Sequence, residues 1–245
     1  MFILALDTTT AEGSLALARD GQLVEARAGL AERTHGERLP SEINTLLGSH
    51  EVALTDIDRF VVAAGPGSFT GLRVGIATIQ GLALSLGRQV IAISVLDALV
   101  EIALAPGSHG PDPPDAVLTW MDGKRGEVFA ALYLPATEPG GWRPHLGPVA
   151  ERPEPLLERW ANELDRPGLS VVGDAVLTGQ GVLRAHLPSG THLVPELPAV
   201  AGALASMASR PPWSDRAHAP HAVQPVYVRR PDAELARDRR ARAQR

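Results

Sequence analysis

Arg59-Phe60-Val61-Val62-Ala63-Ala64-Gly65-Pro66-Gly67-Ser68-Phe69-Thr70-Gly71-Leu72-Arg73-Val74-Gly75 passes from an apolar run, through a glycine-rich turn, into a helical pattern. Residues 59–64 have the composition of a strand buried on both faces. Beyond the turn, Leu72, Ile76, Ile79, Ala83 and Leu86 recur at helical spacing and predict a helix over 71–86, its surface thinned by Gly71, Gly75 and Gly81. Residues 89–93 read as the next strand, and Ser94 as the N-cap of a helix over 95–104. This is a βα repeat, which sets the class as α/β.

Upstream, residues 2–6 form a short strand that stops at Asp7-Thr8-Thr9-Thr10. Residues 13–19 and 22–28 read as two more strands, with Asp20-Gly21 as the hairpin signal between them. Thr34 and Glu37 have the spacing of a capping box, and Leu39, Ile43, Leu46 and Leu47 make an apolar stripe. Proline disfavours a helix interior by about 3 kcal/mol, so the regular helix is expected to begin at Pro40 and run over 40–49.

Downstream, the Pro-, Gly- and Asp-rich residues 105–115 read as a connection to a second lobe. Residues 117–121, the turn Asp122-Gly123-Lys124-Arg125-Gly126 and residues 127–134 weakly echo the opening strand, turn and strand. Residues 135–170 read as irregular apart from a helix near 154–164; residues 170–174 are a strand entering a turn, 199–209 a small-residue helix and 223–228 an extended segment. The expected organisation is a first lobe over 1–104, a smaller second lobe over 105–228 whose residues 199–228 return to the first, and a basic tail over 229–245.

The chain of 245 residues is long enough for a sizeable core. No run approaches the roughly 18–20 apolar residues of a membrane span, and the start lacks a basic n-region, so neither membrane insertion nor a secretory signal is expected. The absence of cysteine excludes disulfides and thiolate metal sites and accords with a cytoplasmic location. Lys124 is the sole lysine and lies outside any P-loop pattern. The net charge of −5 is uneven: residues 229–245 carry seven arginines against Asp232, Glu234 and Asp238, leaving an acidic body with a basic tail. Such a tail suits either RNA contact or simple solvation.

Four segments together resemble the TsaB family: Leu4–Thr10, His35-Gly36-Glu37-Arg38-Leu39, Gly65–Gly75 and Pro225-Val226-Tyr227-Val228-Arg229; Met121–Val128 matches a fifth less fully. The third carries most of the specificity. The resemblance covers residues 1–104 well and the rest in patches. It implies the two-lobed fold of actin, Hsp70 and sugar kinases, each lobe a mixed sheet with helices. It also implies a non-catalytic subunit that binds a TsaD-type catalytic relative, which transfers threonylcarbamoyl to the adenosine beside the tRNA anticodon. A TsaE-type ATPase assists; tRNA is reached through the partner or the basic tail; a homodimer forms when the partner is absent. No cofactor is expected to be held stably by this chain alone, with ATP or ADP and Mg placed at a shared interface.

Several motifs bear on chemistry. Asp7, Thr8, Thr9 and Thr10 sit where kinases of this fold hold phosphate, and Gly65, Gly67 and Ser68 precede a helix N-terminus that suits an anion. The alternative is that Asp and Thr close a local turn and the glycines serve close packing. Val171-Val172-Gly173-Asp174 resembles an adenosine-binding loop without its double glycine. Catalytic relatives carry a His-x-x-x-His metal pair after the equivalent strand; here those positions are Val95 and Leu99, which cannot ligate a metal. The eight histidines are scattered, and Gly67-Ser68-Phe69-Thr70-Gly71 does not match a hydrolase nucleophile elbow. No catalytic residue and no metal ligand is therefore assigned. The resemblance places the partner contact on the two helices, through Leu39, Ile43, Leu46, Leu47, Leu72, Arg73, Gly75, Ile76, Ile79 and Gln80; the alternative turns both stripes onto the lobe's own sheet. Two competing functions are an ATP-dependent small-molecule phosphotransferase and an M22-type metallopeptidase.

Overall fold

The computed structural model describes residues 1–109, 112–136, 141–194 and 196–229. The first lobe comprises β1 (Phe2–Asp7), β2 (Ser14–Arg19), β3 (Gln22–Ala28), α1 (His35–Ser49), β4 (Ile57–Gly65), α2 (Phe69–Ser85), β5 (Gln89–Ser94) and α3 (Val95–Leu104). β1, β2 and β3 form an antiparallel meander, while β4 and β5 add parallel on the other side of β1, giving the order β3-β2-β1-β4-β5.

The second lobe repeats that pattern. It comprises β6 (Ala116–Lys124), β7 (Glu127–Pro135), β8 (Trp142–Glu151), α4 (Pro153–Leu164), β9 (Leu169–Val172), α5 (Gln180–His186) and β10 (His192–Val194). Its sheet order is β8-β7-β6-β9-β10, again a meander flanked by parallel strands. The chain then returns to the first lobe through α6 (Val200–Ala208) and β11 (Ala217–His218), which pairs antiparallel to β5.

Five layers result. Strand side chains alternate between faces. Leu4, Leu6, Leu15, Leu17, Phe60 and Val62 pack outward against α1 and α2. Ile3, Ala5, Ala16, Ala18, Val61 and Ala63 face inward, toward α3 and α6. The inner face is mostly small, and α6, with the sequence VAGALASMA, lies directly on it: the Ser14 hydroxyl of β2 accepts the Ala201 N–H at 2.9 Å. On the far side of α3 and α6 the second sheet contributes Val117, Met121, Phe129, Ala131 and Tyr133 to the same core. Its other face packs on α4 and α5 through Trp120, Leu132, Leu156 and Leu183.

Two expectations are corrected. α1 starts at His35, five residues before Pro40, because the Glu37 carboxylate secures the first turn by accepting both the N–H (3.0 Å) and the hydroxyl (2.6 Å) of Thr34. Pro40 sits in the helix with its ring exposed. Residues 142–151, read as irregular, form β8; as an edge strand pairing only with β7, it tolerates Pro144 and Pro148.

Candidate functional site

The turn after β1 is closed on itself. Asp7 Oδ1 accepts the Thr9 N–H (2.9 Å) and the Thr9 hydroxyl (2.7 Å), and the Thr10 hydroxyl accepts the Gly13 N–H (3.1 Å). Thr8 points to α2, where its hydroxyl donates to the Gly71 carbonyl at 2.8 Å. The glycines leading into α2 make room for this turn. A Cβ on Gly67 would lie 2.5 Å from Thr9 Cβ, and one on Gly71 would lie 2.1 Å from the Thr8 carbonyl oxygen. Gly65, at φ 118°, lies beneath the Val226 carbonyl, which a Cβ would approach to 2.5 Å.

The expected phosphate-site residues divide accordingly. Thr8 is turned away from the cleft, and Gly65 is covered by the C-terminal segment. Gly67 and Ser68 reach the cleft rim, but Ser68 Oγ accepts the Gly71 N–H (3.2 Å) and its own N–H donates to the Thr9 carbonyl (2.8 Å). The Gly71 N–H at the start of α2 is thus already taken by its own cap, while Ser68, Phe69 and Thr70 are exposed on the cleft rim. Asp7, Thr9 and Thr10 do line the cleft.

The His35-Gly36-Glu37-Arg38 segment pins the same turn from behind. His35 Nε2 lies 2.9 Å from the Thr10 carbonyl and Nδ1 lies 2.7 Å from Arg38 Nη2. A carbonyl and a guanidinium leave one consistent arrangement: Nε2–H donates and Nδ1 accepts. Arg38 is buried, gives both Glu42 carboxylate oxygens a bond at 2.8 Å and also donates to the Ala11 and Glu12 carbonyls. Burial, together with the Arg38 charge, holds the His35 imidazole below its ordinary value. The i, i+4 pair of Arg38 and Glu42 is visible in sequence; its buried role is not.

A cleft of about 1150 Å³ separates the lobes and is lined by Asp7, Thr9 and Thr10 on one side and Asp122, Lys124 and Asp174 on the other. Asp122 and Lys124 lie in the β6–β7 hairpin, the second lobe's counterpart of the β1–β2 turn. Asp174 Oδ1 accepts the Asp122 N–H at 2.9 Å. Burial raises the Asp7 and Asp174 carboxyls above the ordinary range, and in Asp7 the charge of Asp174 adds to it. Burial also acts to raise Asp122, but bonds from the Lys124 ammonium (2.7 Å) and N–H (2.7 Å) bring it below. Such carboxylates fit a hard cation carrying phosphate oxygens; the closed glycine turn and the lone Gly173 fit a nucleotide poorly.

Pro225–Arg229 crosses the mouth of this cleft. The Val226 N–H donates to the Ala64 carbonyl at 2.7 Å. Tyr227 stacks on Phe69 with ring centroids 5.0 Å apart, and Arg73 Nε donates to its hydroxyl at 3.0 Å. The Arg73 guanidinium also sits 3.9 Å from the centre of the Phe69 ring. At the second lobe, Arg229 donates to the Gly123 carbonyl (2.8 Å) and the Glu127 carboxylate (3.0 Å). Sequence spacing gives no sign of this cluster, whose members lie some 150 residues apart.

The expected interface residues are largely interior. Leu39, Ile43, Leu46, Leu47, Ile76 and Ile79 form one core with the outer face of the first sheet, and Leu72 and Gly75 are buried beside them. Gln80 is half-buried and donates to the Pro220 (2.9 Å) and Val223 (3.0 Å) carbonyls. Arg73 alone of that set is exposed. The stripes face the lobe's own sheet, and the outward face of α2 is instead Arg73, Ala77, Gly81 and Leu84. Val95 and Leu99, on α3, are buried between the lobes.

A family model described as "TsaD: tRNA N6-adenosine threonylcarbamoyltransferase" matches residues 28–139. The Escherichia coli (strain K12) "tRNA threonylcarbamoyladenosine biosynthesis protein TsaB" is 36% identical over 159 residues, which is 65% of this chain and 66% of that protein. The solved structure of "YeaZ from Pseudomonas aeruginosa" has a TM-score of 0.70 at 28% identity and covers 92% of this chain and 99% of its own. The chain belongs to the TsaB/YeaZ family. The paired mixed sheets give this TsaB/YeaZ chain a two-lobed α/β architecture like that of the YeaZ structure. A Mycobacterium tuberculosis relative is 29% identical over 95% of this chain and 93% of its own length, so the likeness extends through the second lobe. Among the described residues no helix is long and apolar enough to cross a membrane, and no group of three metal-binding side chains comes together.

Proposed function

We propose that this TsaB/YeaZ chain is the non-catalytic subunit in the biosynthesis of threonylcarbamoyladenosine in tRNA, where it binds a TsaD-type catalytic subunit. The observation that carries the non-catalytic part is on α3. Inside the segment that matches the TsaD model, positions 95 and 99 are valine and leucine, both essentially without solvent exposure. Hydrocarbon side chains sealed in a core offer no lone pair to a metal.

The outward face of α2 is the surface we assign to the partner. Leu84, 72% exposed, is the most exposed of the large apolar side chains among the described residues. Ala77 and Gly81 beside it leave room for a close approach by another helix. In the partner's absence the same face would serve a homodimer. A TsaE-type ATPase and the tRNA would join through the assembled pair; the tail beyond Arg229 lies outside the described residues. The subunit's effect is population shift, favouring the partner's competent state by binding it better. Asp7, Asp122 and Asp174 would take part only in holding a magnesium-bound phosphate at the cleft.

The test is threonylcarbamoyl transfer to unmodified tRNA, reconstituted with the catalytic subunit, the ATPase and the adenylate-forming enzyme, with and without this chain. Turnover that depends on the chain, and that Leu84→Arg or Gly81→Arg removes, supports the reading. Equal turnover without the chain refutes it.

A further inference from the structure

We propose that the C-terminal segment Pro225–Arg229 is a latch that sets the separation of the two lobes at the cleft mouth. The lobes share a core through α3 and α6, which gives them a fulcrum on the inner side of both sheets. At the mouth, the β1–β2 turn and the β6–β7 hairpin face each other across about 1150 Å³ of open space, with a carboxylate on each. Val226–Arg229 lines this mouth and bonds to both lobes.

The latch is anchored unequally. On the first lobe it has several attachments: Gln80 holds the Pro220 and Val223 carbonyls, the Ala64 carbonyl takes the Val226 N–H, and Tyr227 is clasped by Phe69 and Arg73. On the second lobe, among the described residues, its hydrogen bonds come from the Arg229 guanidinium, which bridges the Gly123 carbonyl and the Glu127 carboxylate. Arg229 also lies 5.8 Å from the centre of the Phe129 ring. Among the described residues the tie to the second lobe thus rests on Arg229. Two charge-assisted bonds from one guanidinium nitrogen, to a backbone carbonyl and a carboxylate, favour one arrangement, yet a competing anion or a neighbouring surface can release them. Gly123 is well placed to receive it: it sits inside the hairpin that carries Asp122 and Lys124, so the latch and the second lobe's part of the cleft move together.

The chain lacks cysteine, so spin labels can be placed at will. Thr45→Cys on α1 and Glu158→Cys on α4 put one label on the outer layer of each lobe, both exposed. Pulsed electron–electron resonance on the full chain then reads the lobe separation. The expected result is a single narrow distance in the parent, a longer and broader distribution in Arg229→Ala, and a smaller broadening in Glu127→Gln, which leaves the Gly123 bond. Arg210→Ala, which removes a surface pair with Glu101 away from the latch, should leave the distribution unchanged. Overlapping distributions for the parent and Arg229→Ala, with both proteins folded by circular dichroism, would overturn the latch. Equal broadening in Arg210→Ala would do the same, since the effect would then be general loosening. Neither result bears on partner binding, which is read by the transfer assay.

Discussion

Gly75 lies beneath Thr8 so closely that a Cβ on it would fall 2.1 Å from the Thr8 hydroxyl oxygen. That hydroxyl is already engaged with the Gly71 carbonyl, and Thr8 is fully buried, so neither partner can withdraw. Gly75→Ala should therefore destabilise the protein by about 1–3 kcal/mol through overpacking. Gly81→Ala, with open space at its Cβ, should be neutral or slightly stabilising. Urea unfolding of both variants checks the contrast.

The direction of the α2 stripe separates folding from binding. Ile79 is fully buried, and Ile79→Ala should cost about 2–5 kcal/mol. Leu84→Ala should stay within about 0.5 kcal/mol of the parent in stability. It should nevertheless weaken association with a TsaD-type subunit, which titration calorimetry would read.

Arg38 is a buried cation whose partners include a carboxylate and two backbone carbonyls. Arg38→Ala should lose about 3 kcal/mol, because Glu42 and the carbonyls of the β1–β2 turn are left without donors. Arg38→Lys should recover only part of it, since a single ammonium cannot reproduce the fork. Thermal melts of the three proteins test the order.

His35 gives the protein a pH dependence with a definite sign. Its folded value lies below the ordinary 6.5, so the unfolded chain binds the proton first as pH falls. The stability it contributes is complete above about pH 6.5 and is lost as pH drops through that value toward the lower folded one. Asp7, Asp97 and Asp174 act oppositely: their raised carboxyls contribute most below their ordinary value and lose it as pH rises. His35→Gln keeps a donor for the Thr10 carbonyl and does not titrate, so its urea midpoint should fall less than the parent's between pH 8 and pH 5. Parallel curves would show that the imidazole is not the titrating group.

Local pattern was readable where local physics decides. The apolar runs of β1 and β4, the Asp20-Gly21 turn with φ of 51° and 81°, and the Ser94 cap could all be taken from neighbouring residues. β8 was not readable, because only its edge position makes Pro144 and Pro148 harmless. The helical stripes of α1 and α2 were found, but period alone tells that a helix has an apolar face and not what covers it. Their cover proved to be the first sheet. The doubled sheet order showed in sequence only as a faint echo between the turns at Asp7 and Asp122, since topology leaves little trace when side chains diverge. Arg229 over Gly123 and Tyr227 over Phe69 are partners brought together by the fold alone.

The placement of α3 and α6 has a bearing on how the protein can be divided. The two sheets repeat one plan, which invites cutting the chain between them and studying each half by itself. Yet α6 lies on β1 and β2 although it follows the second sheet in the chain, and α3 belongs to the first lobe while packing on β6 and β9. A fragment ending at residue 104 would leave Ala5, Ala16, Ala63 and the α3 side chains Val95 and Leu99 facing water. The halves are copies in design and a single unit in thermodynamics: they should melt together, and neither should persist as a soluble piece.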